Sequence, residues 1–459
     1  MKQLKINVVI FLLLLLQGLH SEDKKVYQDD PKILAILNKL GDSSSARLPK
    51  NLKQNEYLRK GKRTNDYSMK MLYNPDTQGG LYVGGNHNNN RRNDCYEYHL
   101  GSNSWNALFP ADGGDHYFLK SFIMYGIREL NQQVKKGKPF NMETFRGLSR
   151  LNKTPKTLKL FDEKVIPWWK KNVVIKDGMF QTSKGGPIMP SHTWDGVCYD
   201  QTNKQLIWTS GGQGSNPAPL HALINNTTKD EVYKKLNPKY SPMWIFSPGT
   251  KKWSRDIRPD KKPYPKFRGM GQSVTYIHDL KIILWYVAVD NVSPGAYDMW
   301  KFDCVKKTWK QLKPNGGKSI RQLSVKDKLA PRGEGVLRYS TKTKKLVAFQ
   351  GANVYAYDVG ANVWAKICED KRIDAHDAKV AIDYDSKNDV FIYSRRKIKG
   401  ELVRFAVFSL EQKKWLTPTI TGPALPKPKW SELKGYYHPV HNVLVRHGNQ
   451  DIWVYRYKK

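Results

Sequence analysis

The residues best suited to chemistry gather in a few short stretches. His376 lies between Asp374 and Asp377, an imidazole with carboxylates that can pass a proton or hold a cation. His192 precedes Thr193-Trp194-Asp195-Gly196, and His192 and Asp195 both fall in a loop that enters a first strand. Arg332 follows Pro331 and stands two residues before Glu334, Arg268 lies in another Pro-containing stretch, and Asn86, His87, Arg91 and Arg92 make a polar, basic run. Arginine forks grip carboxylate, sulfate or phosphate with two hydrogen bonds at once, so this set points to anion recognition before it points to bond breaking. The same residues have structural uses. His192 can bond neighbouring loop backbone, and Arg332 can pair with Glu334.

The chain carries no phosphate loop, no serine-hydrolase elbow, no paired zinc cysteines and no sialidase-type box. No cofactor and no metal set is read from it. Whatever these residues do depends on elements that bring them together.

Those elements repeat. Gly335 to Trp364 reads GVLRYS, TKTKK, LVAFQG, ANVYAYD, VGANVW, which is four short apolar runs separated by Gly, Asn, Asp, Ser or Lys turns. Such a pattern predicts an antiparallel meander. It recurs at Ser273 to Trp309 and Val380 to Trp415, more loosely at Met69 to Trp105 and Trp194 to Trp253, and ends with a shorter copy at Gly435 to Tyr457. Trp253, Trp309, Trp364 and Trp415 fall roughly 50 to 56 residues apart.

The copies resemble kelch repeats. In each, a first strand ends in Tyr (Tyr73, Tyr199, Tyr276, Tyr339, Tyr384, Tyr437), and the second ends in a double glycine at Gly84-Gly85 and Gly211-Gly212 that degenerates elsewhere. The resemblance runs from about Ser68 onward and implies an all-β, kelch-type β-propeller of four-stranded antiparallel blades. Six copies imply six blades. Seven is the alternative, if Pro167-Trp168-Trp169 and NVVI are a decayed blade. Kelch propellers include the galactose oxidase family, whose copper site uses tyrosines, histidines and a Tyr-Cys cross-link. Tyr437-His438 matches its adjacent Tyr-His only superficially, because Tyr437 aligns with the Tyr of every other first strand.

Strand alternation sorts the candidates by face. Loops entering each first strand, and loops joining second to third strands, emerge on one face. They collect His192, Asp195, Arg268, Arg332, Glu334, Asp374, His376 and Asp377, together with Asn86, His87, Arg91, Arg92, Asp290, Asn291, Arg395 and Arg396. The other face takes mostly tight lysine-bearing turns such as TKTKK and EQKKW. The first face is therefore the expected binding face, since function concentrates on irregular loops over a rigid scaffold.

Composition bounds the partner. Lys and Arg number 78 against 41 Asp and Glu, a formal charge of +37. Met1 to Ser21 has basic residues Lys2 and Lys5, the apolar run VVIFLLLLL and a small residue at its end, which reads as a secretory signal peptide. Its loss leaves +35. Residues 22 to 65 read as an N-terminal arm and candidate ring-closing strand, and 66 to 459 as the propeller, with insertions at about 116–190 (partly helical) and 213–242. The second insertion holds overlapping glycosylation sequons at Asn225 and Asn226. Cys95, Cys198, Cys304 and Cys368 lie in different repeats, as buried thiols or as bridges that an exported chain would permit.

The sequence thus describes a secreted or periplasmic binding module without a later membrane span. Its expected partner is an acidic glycan or another anionic surface, with nucleic acid ranked below. A carbohydrate-active enzyme, a lyase or oxidase, is the alternative.

Overall fold

The computed structural model describes residues 27–55, 70–84, 93–110, 121–149, 151–152, 155–188, 193, 195–209, 217–236, 243–256, 272–287, 298–314, 336–373, 381–398, 401–424, 434–448 and 451–459. Six four-stranded antiparallel sheets stand around one axis as a β-propeller. Blade one is Leu72–Asn74, Gly79–Tyr82, Cys95–His99 and Ser104–Phe109, and blade two is Val197–Asp200, Gln205–Trp208, Trp244–Ser247 and Lys252–Arg255. Gln272–Ile277, Ile282–Val287, Asp298–Asp303 and Thr308–Leu312 make blade three. Val336–Ser340, Lys345–Gln350, Asn353–Asp358 and Val363–Glu369 make blade four. Ile382–Asp385, Val390–Ile398, Glu401–Ser409 and Lys414–Leu416 make blade five.

Blade six is composite. Lys434–His438, Val443–Gly448 and Asp451–Arg456 are consecutive, and its outer strand is Ser44–Arg47, paired antiparallel with Ser44 opposite Arg456 and Arg47 opposite Trp453. This pairing occupies an edge that would otherwise stay open to other chains. The segment leading into it wraps both neighbours, with Ser45 Oγ donating to Pro423 O at 2.8 Å and Asp30 N to Gly101 O at 2.9 Å.

The core is divided among the blade junctions because side chains alternate along each strand and each blade is covered on both faces. Tyr436 packs into the junction with blade one, beside Tyr82 and Tyr96, while its neighbour Tyr437 packs toward blade five, beside Val390 and Ile392. The closing tryptophans lie in outer strands and tilt against the third-strand aromatic of their own blade: Phe246–Trp253 at 5.0 Å, Phe302–Trp309 at 4.9 Å, Tyr357–Trp364 at 4.8 Å and Phe408–Trp415 at 5.2 Å.

The repeated tyrosines link blades. Tyr199 Oη donates to Asp76 Oδ2 of blade one at 3.2 Å, and Tyr276 Oη lies 2.9 Å from Thr202 Oγ1 of blade two. Tyr339 Oη donates to Asp279 Oδ2 of blade three, and Tyr384 Oη lies 3.3 Å from Ser340 Oγ of blade four. Four-residue hairpins make these meetings possible. Each turns through a left-handed residue, among them Lys204, Lys281, Lys344, Asp389 and Asn442.

The two insertions form one unit although blade-two strands separate them in sequence. Phe145, Phe161, Trp169, Leu220 and Leu223 share a core, and Trp169 Nε1 donates to His221 Nδ1 at 3.1 Å. Trp168 and Trp169 lie in the middle of the helix Ile166–Asn172, and Val173–Lys176 pairs with Met179–Thr182 as a two-stranded hairpin, so this segment is no seventh blade. The hairpin continues into Gly186, at φ +87°, where an added Cβ would lie 2.7 Å from Trp253 Cδ1. The unit is thereby seated on blade two.

Candidate functional site

Inner strands of neighbouring blades run parallel around the axis, so their first residues meet at one end. Asp195 forms a parallel bridge with Ser273, and Val274 N donates to Asp195 O at 3.1 Å. This carries the entry into blade two alongside blade three. Lys70, just before blade one, reaches across to Val274 O at 2.8 Å and lies 3.5 Å from Asp195 Oδ1. Arg338 of blade four brings Nη1 to within 2.8 Å of both Asp195 oxygens and donates from Nε to Ile382 O of blade five at 2.7 Å. Ser273 Oγ donates to Asp195 Oδ2 and accepts from Leu337 N at 3.1 Å.

A second pair continues the ring. Arg446 of blade six meets Asp383 of blade five at 2.6 Å and donates from Nε to Ser394 Oγ at 2.6 Å. Gly435 permits this, since a Cβ there would meet Val445 O at 1.9 Å and Arg446 Nη1 at 2.6 Å. At the junction of blades six and one, buried Lys434 lies over the Tyr82 ring at 3.5 Å, and His447 sets its ring edge-on to Trp105 at 4.9 Å.

Electrostatically the cluster is cationic. Among the described residues, buried Lys70, Arg338, Arg446 and Lys434 stand against Asp195 and Asp383. Burial pulls the Lys70 ammonium below its ordinary value, with Asp195 opposing that pull, and burial lowers Arg446 while Asp383 raises it. Burial, with Lys434 nearby, drives His447 well below the usual imidazole range, so it is neutral near pH 7, and neither ring nitrogen meets a hydrogen-bond partner among the described residues. The acids Asp195 and Asp383 hold Lys70, Arg338 and Arg446 in place.

Of the residues expected at the site, Asp195 is placed, 2% exposed, as the hub of this network. Asn86, His87, Arg91, Arg92, His192, Arg268, Arg332, Glu334, Asp374, His376 and Asp377 lie outside the described residues, as do Asp290 and Asn291. Arg395 and Arg396 fall in the second strand of blade five. Lys70, Ser273, Arg338, Asp383, Lys434, Arg446 and His447 were not singled out by sequence reasoning. A signal existed: Arg338, Asp383 and Arg446 each interrupt an otherwise apolar run, in VLRYS, AIDYD and VLVRHG. A charge there must be matched or it destabilises the blade.

The cysteines are thiols, three of them buried and Cys368 half-buried, and burial pushes Cys198 and Cys304 up and away from the reactive thiolate. Among the described residues no helix is long and apolar enough to cross a membrane.

No protein-family model matches the chain, and no curated protein matches it in sequence. Among solved structures, an auxiliary nutrient binding protein from Bacteroides thetaiotaomicron aligns over 86% of this chain and 70% of its own, at 7% identity and a TM-score of 0.42. The GH74 enzyme of Niastella koreensis aligns over 85% of this chain and 52% of its own, at 9% identity and a TM-score of 0.39, so the match spans about half of that enzyme. Likenesses this distant say nothing about what the chain binds.

Proposed function

We propose that the protein is an exported, kelch-type propeller that binds an anionic polysaccharide on the face above the charged axis. The cluster of buried basic side chains at that end of the axis, Lys70, Arg338, Arg446 and Lys434, supports this reading. In a chain of formal charge +37, it gives the loops of that face a positive floor. The ligand contacts fall to the loop residues: Arg91, Arg92, Arg268 and Arg332 grip sulfate or carboxylate groups, and Asn86, His87, His192, Glu334, His376 and Asp377 orient sugar hydroxyls. Asp195 acts from below by holding Lys70 and Arg338. Export rests on the segment Met1 to Ser21.

The test is an acidic-glycan array followed by titration with one retained polymer, using dextran as the neutral control. Binding should fall steeply as salt rises to physiological strength. The double replacement Arg268→Gln, Arg332→Gln should weaken it with little change in melting temperature. Absence of binding at low salt, or indifference to both arginines, overturns the proposal. Release of new reducing or unsaturated ends from the polymer would instead favour a carbohydrate-active enzyme.

A further inference from the structure

The opposite face is built from the hairpins that join first to second and third to fourth strands, and in blades two to five most of their tips carry lysine. In blade three these two hairpins are bonded together, Cys304 N donating to Lys281 O at 3.0 Å. Their adjoining tips present Leu280 and Val305, 52% and 62% exposed, among exposed Lys281, Lys306 and Lys307. Two acids lie beside these tips, and each has a local contact. Asp303 accepts from Val305 N and Lys306 N at 3.0 and 2.8 Å to close its turn, and Asp279 is held at 2.8 Å by both Lys344 Nζ and Tyr339 Oη. Blade six lies across the ring, and there Val440 is 60% exposed in the corresponding first hairpin, with Lys458 and Lys459 close behind.

We propose that this hairpin face docks on an anionic lipid surface. Lysines around protruding aliphatic tips gain from two layers of a bilayer at once, the phosphates and the boundary of the acyl chains. Leu280 and Val305 decide between lipid and polysaccharide, because an aliphatic tip offers a hydroxylated polymer no hydrogen bond. Single exposed aliphatics are ordinary on protein surfaces. Here two share one bonded pair of tips, and a third sits on the opposite blade, so all three can reach one plane. Docked this way, the protein turns its other face outward.

Co-sedimentation with large unilamellar vesicles tests the proposal. The purified protein should pellet with vesicles of equimolar phosphatidylcholine and phosphatidylglycerol at low salt and stay in the supernatant when the vesicles are pure phosphatidylcholine. Each lysine near an anionic surface contributes roughly a fivefold factor, so the triple change Lys281→Gln, Lys306→Gln, Lys307→Gln should lower partitioning by about a hundredfold. Leu280→Ser with Val305→Ser should lower it roughly tenfold without altering the salt dependence. The control removes equal charge from the helical unit through Lys164→Gln, Lys170→Gln and Lys171→Gln, and should cost far less. No binding to the anionic vesicles, or an equal loss in the control, overturns the proposal. So does a triple variant that loses a soluble anionic polysaccharide yet keeps the vesicles, which would make this face a polymer site.

Discussion

Tyr339 of blade four donates its hydroxyl to Asp279 Oδ2 of blade three at 2.8 Å, and Lys344 Nζ approaches the same oxygen at the same distance. A strand-end tyrosine thereby links two sheets with no continuous backbone pairing at that rim. Removing the hydroxyl with Tyr339→Phe keeps the ring packing and should cost about 1 kcal/mol, read from urea denaturation. A cost near zero would mean that water replaces the link.

The axial network makes an asymmetric demand on its acids. Asp195→Asn strands both Lys70 and Arg338 in a buried site and should destabilise by roughly 3–5 kcal/mol, the range for breaking a buried pair. Lys70→Met leaves Asp195 held by Arg338 and Ser273 and should cost clearly less. Equal costs measured by chemical denaturation would contradict the role of Asp195 as hub.

Stability should fall on acidification through the buried histidines. His447 is depressed by burial and Lys434, and His438 is lowered to about 3 by burial and by His441. A histidine whose folded pKa is depressed contributes fully above its unfolded value of about 6.5 and loses that contribution as pH falls toward the folded one. Buried Glu97, whose carboxyl is raised, works in the opposite sense at the acid end. Melting temperature should therefore decline below about pH 6.5, and His447→Phe should flatten the decline. An unchanged slope in that variant would remove His447 from the account.

The arm should be needed for a closed ring. Deleting residues 22 to 48 removes Ser44–Arg47, frees the edge of Asp451–Arg456 and strips Ile33 and Leu37 from the junction of blades six and one. The expected result is a lower melting temperature and concentration-dependent association seen by light scattering.

The hairpin of the inserted unit should depend on one glycine. Gly186→Ala combines a left-handed φ with a clash on Trp253, so it should loosen the unit from blade two and cost at least about 1 kcal/mol. Unchanged proteolysis of the helical unit would show that the hairpin is not its anchor.

Much of the scaffold was legible because its determinants are local. Period-two alternation, turn residues such as TKTK and SKND, and the spacing of the closing tryptophans each act within a few residues. They specify six meanders, the sixth short of the outer strand that Ser44–Arg47 supplies. The recurring Tyr was visible too, but its use was not, since its partner Asp279 lies 60 residues from Tyr339.

Tertiary structure alone decided which charges meet. Asp195 and Arg338 are 143 residues apart, and only closure of the ring sets two inner strands so that one carboxylate serves cations from blades one and four. Trp169 and His221 likewise join two insertions that nothing in the chain marks as one body. Periodicity records how a strand divides its faces. It carries no information about which distant strand will cover each face, and buried ion pairs and shared cores are settled by that choice.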